Sequence, residues 1–327
     1  METPLFIRRL AIPLALALCA IQTPGFAQTF PSRPVTLVVP FPPGGGTDTG
    51  GRVIAEQLGR RWGQPVIVEN KGGAAGQIGA DFVAKSRPDG YTLLLGNIGT
   101  QAINPLLYSK LPYDADKDIV GVSRLATLAN LLGVTPSLPA DNVAELIQLC
   151  KKEPGKYSFA SSGPGTSLHL SGELFKSMAG VDIIHVPYKG AGPVYNDLMA
   201  GTVNMMFANM PSMLPHVRAK KLKGLGVTSA QRSQAAPEIP TIAETLPGYV
   251  ATSWYGVGAP AGTPEPVLAK LEATLAQILA SADIQKRWTN DLGLDMPPPG
   301  RKGFDDFLAQ DRKLWAPVVK ASGVKLD

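Results

Sequence analysis

Residues 35–48 read Val35-Thr36-Leu37-Val38-Val39-Pro40-Phe41-Pro42-Pro43-Gly44-Gly45-Gly46-Thr47-Asp48. The first five positions show little polar alternation, as expected of a strand covered on both faces within a parallel sheet. Prolines then stop the strand, and three glycines let the backbone turn sharply and approach a ligand without side-chain obstruction. Beyond the turn, Val53, Ile54, Leu58 and Trp62 fall on one face of a helix. A buried strand feeding a helix through a glycine loop opens an α/β sheet, and such sheets bind ligands at the carboxyl ends of their strands.

Outward from this stretch the pattern continues. Residues 66–68 read as a second strand, and a helix follows with Ile78, Phe82 and Val83 on its packing face. Arg87-Pro88-Asp89-Gly90 turns the chain into a third strand over 91–95, which completes β-α-β-α-β. The pattern restarts near Leu131. Strands over 131–134, 157–161, 183–186, 203–207 and 225–228 alternate with helices over 141–152, 167–179, 193–200 and 211–220, and 237–248 is an exit loop. The tail carries amphipathic helices over 264–280, 283–290 and 301–322 with almost no strand between them. Helices alone cannot complete a sheet domain, so they are expected back on the first unit. The organisation is two doubly wound α/β lobes with a ligand cleft between them: residues 28–127 plus 252–327, and residues 128–251. Crossovers near 125–129 and 251–256 permit hinge closure. Trp254 and Tyr255, at the second of these, read as hinge or cleft packing.

The second lobe repeats the opening device. Ser161-Ser162-Gly163-Pro164-Gly165-Thr166-Ser167 again links a strand to a helix. Thr47 or Asp48 is expected to cap the first helix, and Thr166 or Ser167 the second. A cap satisfies one of four orphan N–H groups; the remaining donors and the positive end of the dipole favour an anion. One glycine loop alone is as readily a plain turn. Two facing each other offer two sets of main-chain donors, which suits a dicarboxylate or a carboxylate with another acceptor. Asp48, an anion beside an anion, is expected to cap and to hold an ordered water. The first loop is not a nucleotide motif. Thr47-Asp48 stands where a Walker loop needs Lys-Ser/Thr, and Thr49 where G-x-G-x-x-G needs its last glycine.

The N-terminus has the order of a secretory signal peptide: Arg8 and Arg9, an apolar run from Leu10 to Ala20, then Gly25-Phe26-Ala27 as a cleavage site before Gln28. That run is shorter than the roughly 20 residues a membrane span needs. Cys19 lies within it behind bulky Leu18, where a lipoprotein site wants a small residue. The chain's net charge of +5 drops to +4 once Arg8, Arg9 and Glu2 leave with the leader. The basic residues are scattered, so no nucleic-acid or lipid-headgroup patch is expected. Cys150 alone remains, which forbids an intramolecular disulfide and leaves stability to a hydrophobic core. It ends the helical pattern Val143, Leu146, Ile147 and reads as a packed small hydrophobe. A secreted, disulfide-free soluble chain of this length suits a bacterial periplasm, as a monomer.

Further motifs carry a family likeness: Pro31-Ser32-Arg33-Pro34-Val35, Val39-Pro40-Phe41-Pro42-Pro43-Gly44-Gly45, Pro88-Asp89-Gly90-Tyr91-Thr92-Leu93-Leu94, Ser171-Gly172-Glu173-Leu174-Phe175-Lys176, His185-Val186-Pro187-Tyr188-Lys189-Gly190 and Pro260-Ala261-Gly262-Thr263-Pro264. In these the mature chain resembles the Bug family, periplasmic receptors of tripartite tricarboxylate transporters. The resemblance implies a type II periplasmic-binding-protein fold. It also implies high-affinity binding of a small organic carboxylate, held largely by main-chain groups and two ordered waters without a cofactor, and delivery to membrane permease subunits. It points to Phe41, Gly45, Gly46, Thr47, Asp48, Asn97 and Thr100 in the first lobe as ligand-binding positions. In the second it points to Ser162, Gly163, Thr166, Ser167, Lys189, Ala208 and Asn209.

Ala208 and Asn204 stand where the family usually or commonly has an acidic residue. A carboxylate lost from the cleft loop removes a partner for an ammonium group, so a non-amino carboxylate such as a dicarboxylate or aromatic acid is expected. Gly50 and Gly51 also depart from larger residues, and each should weaken the helix by about 1 kcal/mol relative to alanine. Two other outputs stay open. Liganded lobes presented to a sensor kinase would use the same fold and closed state. A periplasmic hydrolase would need a spatially assembled triad, because His169, His185 and His216 have no zinc-ligand spacing and Ser162-Gly163 lacks the Gly-x-Ser-x-Gly elbow.

Overall fold

β1 (Val35–Val39) is followed by α1 (Gly46–Trp62), β2 (Val66–Asn70), a 3₁₀ turn at Ala74–Gly76, α2 (Gln77–Ala84) and β3 (Thr92–Asn97). The computed structural model that shows this describes residues 30–298 and 300–322. The leader, its cleavage site and Cys19 lie outside the described residues. β2 and β3 pair with β1 in parallel, one on each side. Val35, Leu37 and Val39 pack on one face with Val53 and Leu58 of α1, and Val38 packs on the other with Ala80 and Val83 of α2. Cover on both faces is why the strand has no polar alternation. The packing face of α2 differs from the expected one. Ile78 and Phe82 are 54% and 42% exposed. The helix instead sits down through Ala80, Val83 and Gly79, whose Cβ would meet Pro40 at 2.8 Å.

A π turn at Gly99–Ile103 and α3 (Asn104–Leu107) lead into β4 (Ile119–Val134). Then come α4 (Val143–Lys152), β5 (Ser158–Ser161), α5 (Ser167–Ala179), β6 (Ile184–Pro187), α6 (Val194–Ala200), β7 (Met205–Asn209), α7 (Met210–Arg218) and β8 (Lys223–Val227). The chain returns through β9 (Thr252–Pro260), α8 (Glu265–Leu279), α9 (Ala282–Lys286), a second π turn at Arg287–Asp291, β10 (Leu294–Asp295) and α10 (Arg301–Ser322). The strands form one sheet in the order β2-β1-β3-β9-β4-β7-β5-β6, with β8 and β10 also on β4.

β4 carries the sheet from one half to the other. Its residues 119–129 pair antiparallel with β9, and Asn130 to Val134 pair with β7, Leu131 to Val134 also with β8. Where two short crossovers were expected, the chain therefore runs as two long strands paired with each other. Register shifts at Gly121/Ser123 and Arg124/Ala126 are bulges that bend the pair as it passes between the halves. IVGVSRLATLANLLGV and TSWYGVGAP are apolar or small at most positions, so only 131–134 of them read as a strand in sequence. Trp254 and Tyr255 are buried within β9.

Leu268, Leu271, Leu275 and Ile278 of α8 pack beneath β1, as their spacing predicts. α10 reaches further. Its Phe304, Leu308, Trp315 and Val319 share a core with Ile98 and Leu107 before β4 and with Leu170 and Phe175 of α5. The Phe304 ring fills the space where Cβ atoms on Gly121 and Gly256 would lie 2.8 and 2.4 Å away. The last helix thus packs on β4, on α5 and on the turn at Gly99–Ile103. Cys150 is packed in the same core, its thiol pushed up to about 11 by burial. Among the described residues no helix is long and apolar enough to cross a membrane.

Candidate ligand-binding site

α1 begins at Gly46 behind Gly45, an extended cap residue with no side chain to offer. Thr47 and Asp48, expected as caps, lie inside the first turn instead. The Asp48 carboxylate turns back and accepts from the Gly44 N–H at 3.1 Å, Arg52 Nε at 3.0 Å and Asn70 Nδ2 at 2.9 Å. Burial would raise this carboxyl, but the bonds from Arg52, Asn70 and Gly44 outweigh it and hold it below its ordinary value. The anion is neutralised on the side away from the cleft. The N–H groups opening α1 have no capping side chain and face a cavity lined by Gly45, Gly46 and Thr47.

The opposite wall is the second glycine loop. Thr166 caps α5, accepting from the His169 N–H at 3.4 Å and donating to the Gly163 carbonyl at 2.8 Å. The Ser161 hydroxyl accepts from the Gly163 N–H at 3.1 Å, and the Gly165 N–H donates to His169 Nδ1 at 3.2 Å. These bonds fix the loop from within and leave Ser162, Thr166, Ser167 and Leu168 on the cavity. Phe41, Asn97, Gly99, Ala191 and Asn209 complete the lining of the cavity.

Nine of the fourteen expected positions therefore meet around one cavity, drawn from both halves. The other five do not line it. Asp48 is turned to Arg52 and Asn70. Thr100 is fully buried beneath Asn97, and its N–H donates to Asn97 Oδ1 at 3.1 Å. Gly163 supplies a left-handed turn at φ +121° behind Ser162. Lys189 is exposed. Ala208 points into a core with Leu131 and Val227, because alternation along β7 sends only Asn209 toward the cleft. Asn204 lies at the other end of that strand, accepting from the Ser158 N–H at 2.8 Å. Neither Ala208 nor Asn204 thus marks a carboxylate lost from the cavity.

Gly99, Leu168 and Ala191 were missed. A signal for Ala191 was present in Gly190-Ala191-Gly192, since a Cβ on Gly192 would lie 2.5 Å from the Pro43 carbonyl and one on Gly190 2.7 Å from the Pro42 ring. That loop meets the first glycine loop at close range. The Ser161 hydroxyl and His185 Nε2 are 2.7 Å apart, the bond of a nucleophile and its base. Yet Ser161 is fully buried and its oxygen already serves Gly163.

A family model described as the tripartite tricarboxylate transporter family receptor matches residues 51–324. Protein BugT of Bordetella pertussis (strain Tohama I) is 38% identical over 319 residues, which span 96% of this chain and 97% of BugT. R. palustris Rpa4515, solved with adipate, superposes with a TM-score of 0.88 at 38% identity, covering 90% of this chain and 99% of that one. MatC (Rpa3494) from Rhodopseudomonas palustris, solved with bound malate, gives 0.83 at 34% identity over 89% of this chain and all of its own. With the family model spanning most of the sequence and BugT matched over 96% of it, the chain belongs to the Bug family of tripartite tricarboxylate transporter receptors.

Proposed function

We propose that this protein binds a small organic carboxylate with high affinity in the periplasm and delivers it to the membrane permease subunits of a tripartite tricarboxylate transporter. The observation that carries this is the convergence of two helix N-termini, α1 and α5, on one cavity lined by residues from both halves of the sheet. Helix N-termini concentrate unpaired N–H groups and positive dipole ends, so each favours one carboxylate oxygen pair. Adipate and malate in related structures are ligands of this kind. The walls formed by Phe41, Gly45, Gly46, Thr47 and Asn97 and by Ser162, Thr166, Ser167 and Asn209 are the binding surface. Thr100, Gly163 and Asp48 support it from behind.

Residues 28–127 plus 252–327 and residues 128–251 are the two lobes in this reading, hinged through β4 and β9. Closure would bring the loops at 43–48 and 161–167 onto opposite ends of the ligand, and the closed face is what a permease reads. Secretion rests on a leader cleaved after Ala27. The test is thermal-shift screening of the mature protein against a panel of mono- and dicarboxylates with neutral solutes as controls. An acid at about 100 times its Kd should stabilise by about 2.7 kcal/mol. Shifts with neutral solutes and none with acids would sink the proposal.

A further inference from the structure

Two asparagines face the cavity from opposite halves, Asn97 at the end of β3 and Asn209 at the end of β7. An asparagine shows a ligand either an acceptor or two donors, and which one depends on the bonds behind it. For Asn97 the answer is local. Its Oδ1 accepts from the Thr100 N–H at 3.1 Å, and a main-chain N–H can only donate. The oxygen is thereby held toward Thr100, whose hydroxyl also lies 3.5 Å from it, and Nδ2 has no partner among the described residues.

For Asn209 the answer comes through a buried chain. The Ser167 carbonyl can only accept, and Asn130 Nδ2 lies 3.4 Å from it and 3.0 Å from Ser171 Oγ. That sets the Asn130 amide with its oxygen toward Asn209. Asn209 Nδ2 donates to that oxygen at 2.7 Å, so Asn209 Oδ1 faces Tyr255, whose hydroxyl donates to it at 3.3 Å. Asn130 and Tyr255 are fully buried, so water does not compete for these bonds. One Asn209 N–H remains for the cavity.

We propose that Thr100, Asn130 and Tyr255 are positioning residues that fix the polarity of the cavity wall, turning the amide N–H groups of Asn97 and Asn209 to the ligand and their oxygens away. The inference rests on the carboxylate-binding reading and sharpens it. Beside the uncapped N-terminus of α1, these amides make a wall of donors. Carboxylate and hydroxyl oxygens satisfy it. An α-ammonium group set against this wall would meet donors and leave them unpaired, with acceptors only among the hydroxyls of Thr47, Ser162, Thr166 and Ser167 elsewhere on the lining. Sites built to pair with a ligand's oxygens discriminate strongly against such a group.

The test is calorimetry on the mature protein with matched pairs, adipate against 2-aminoadipate and succinate against aspartate. Wild type should bind the diacid of the better-fitting pair about 100-fold more tightly than its amino analogue. Tyr255→Phe removes the bond to the Asn209 oxygen while Asn130 still holds its Nδ2, so the amide is loosened without being released and the ratio should fall about threefold. Asn97→Asp keeps an oxygen for the Thr100 N–H but puts a second oxygen where the donor stood. It should weaken the diacid about 100-fold and bring the amino analogue level or ahead. Because Asn97 lies on the cavity wall, this variant tests the idea even if Tyr255→Phe does not fold. Equal affinities within a pair in wild type, or a ratio unmoved by Asn97→Asp, would overturn the inference while leaving carboxylate binding intact. No heat from any acid would overturn both.

Discussion

At Gly46 the two halves of the protein come closer than a side chain permits. A Cβ there would lie 2.5 Å from Asn209 Cβ and 2.6 Å from the Tyr255 hydroxyl. Gly46 opens α1 in helical conformation, so space alone requires glycine here. Gly46→Ala should favour the helix yet prop the glycine loop away from Asn209. Carboxylate affinity should fall at least about tenfold, or about 1.4 kcal/mol, with little loss of melting temperature. Calorimetry decides it, and an unchanged Kd would show that the contact plays no part in closing on the ligand. Gly50 and Gly51 have the same cause. Their Cβ atoms would meet the Tyr255 ring at 3.1 Å and Val39 at 2.9 Å, so close seating of α1 on the sheet offsets their poor helix propensity. Sequence shows that these positions are glycine. It does not show what stands opposite, because Tyr255 and Asn209 arrive from strands some 160 to 210 residues later.

Among the elements, α5 is the one whose bounds, cap and role were most legible. Thr166 before a run of apolar residues at helical spacing gave its start, and Gly180 in left-handed conformation closes it. What could not be read is the stack behind its first turn. His169 of α5 lies face to face with His185 of β6 at 4.0 Å, and His185 lies on Phe159 of β5 at 4.8 Å. Burial first, then the His185 and Lys176 charges, pushes His169 down to about 3, and burial with Lys176 pushes His185 down to about 4. Glu173 Oε1, 3.8 Å from His169 Nε2, does not reverse this. Both folded values lie below the unfolded value near 6.5, so the unfolded chain takes up protons first. The stability they support is complete above about pH 6.5 and is lost as pH falls toward 4 and 3. Each histidine contributes a slope of about 1.4 kcal/mol per pH unit within that window. Urea unfolding at pH 7, 6 and 5 should show a shallower dependence in His185→Gln by about that amount. Parallel curves for variant and wild type would contradict it. β4 and β9 are the reverse case, long strands hidden because both faces are covered and small residues break any period.

For the molecule as a whole, the decisive element is α10, whose amphipathic pattern placed it back on the first unit, although it packs on α5 as well. A stripe says that a helix packs; only the tertiary structure says that Phe304, Leu308, Trp315 and Val319 share one core with Ile98, Leu107, Leu170 and Phe175. Within that seam lies a carboxylate, Asp311, whose Oδ2 accepts from Trp254 Nε1 at 2.8 Å. Burial raises it to about 6, only partly opposed by the Trp254 N–H and by Arg124 and Arg312. Here the sign is opposite to that of the histidines. A folded value above the unfolded 3.9 means that the folded chain holds its proton longer, so stability is greatest below about pH 4 and declines as pH rises through 6. At pH 7 the ionised group costs up to about 3 kcal/mol. Asp311→Asn removes the charge and keeps an oxygen for Trp254, so the variant should be more stable than wild type at pH 7 by about 1–3 kcal/mol. The advantage should shrink on acidification and vanish below about pH 4, where wild type is itself protonated. Denaturant melts at pH 4 and 7 measure both ends of that range. A variant less stable at pH 7 would mean that Arg124 and Arg312 carry the carboxylate as an ion-pair network, and that the charge holds the last helix across the two halves.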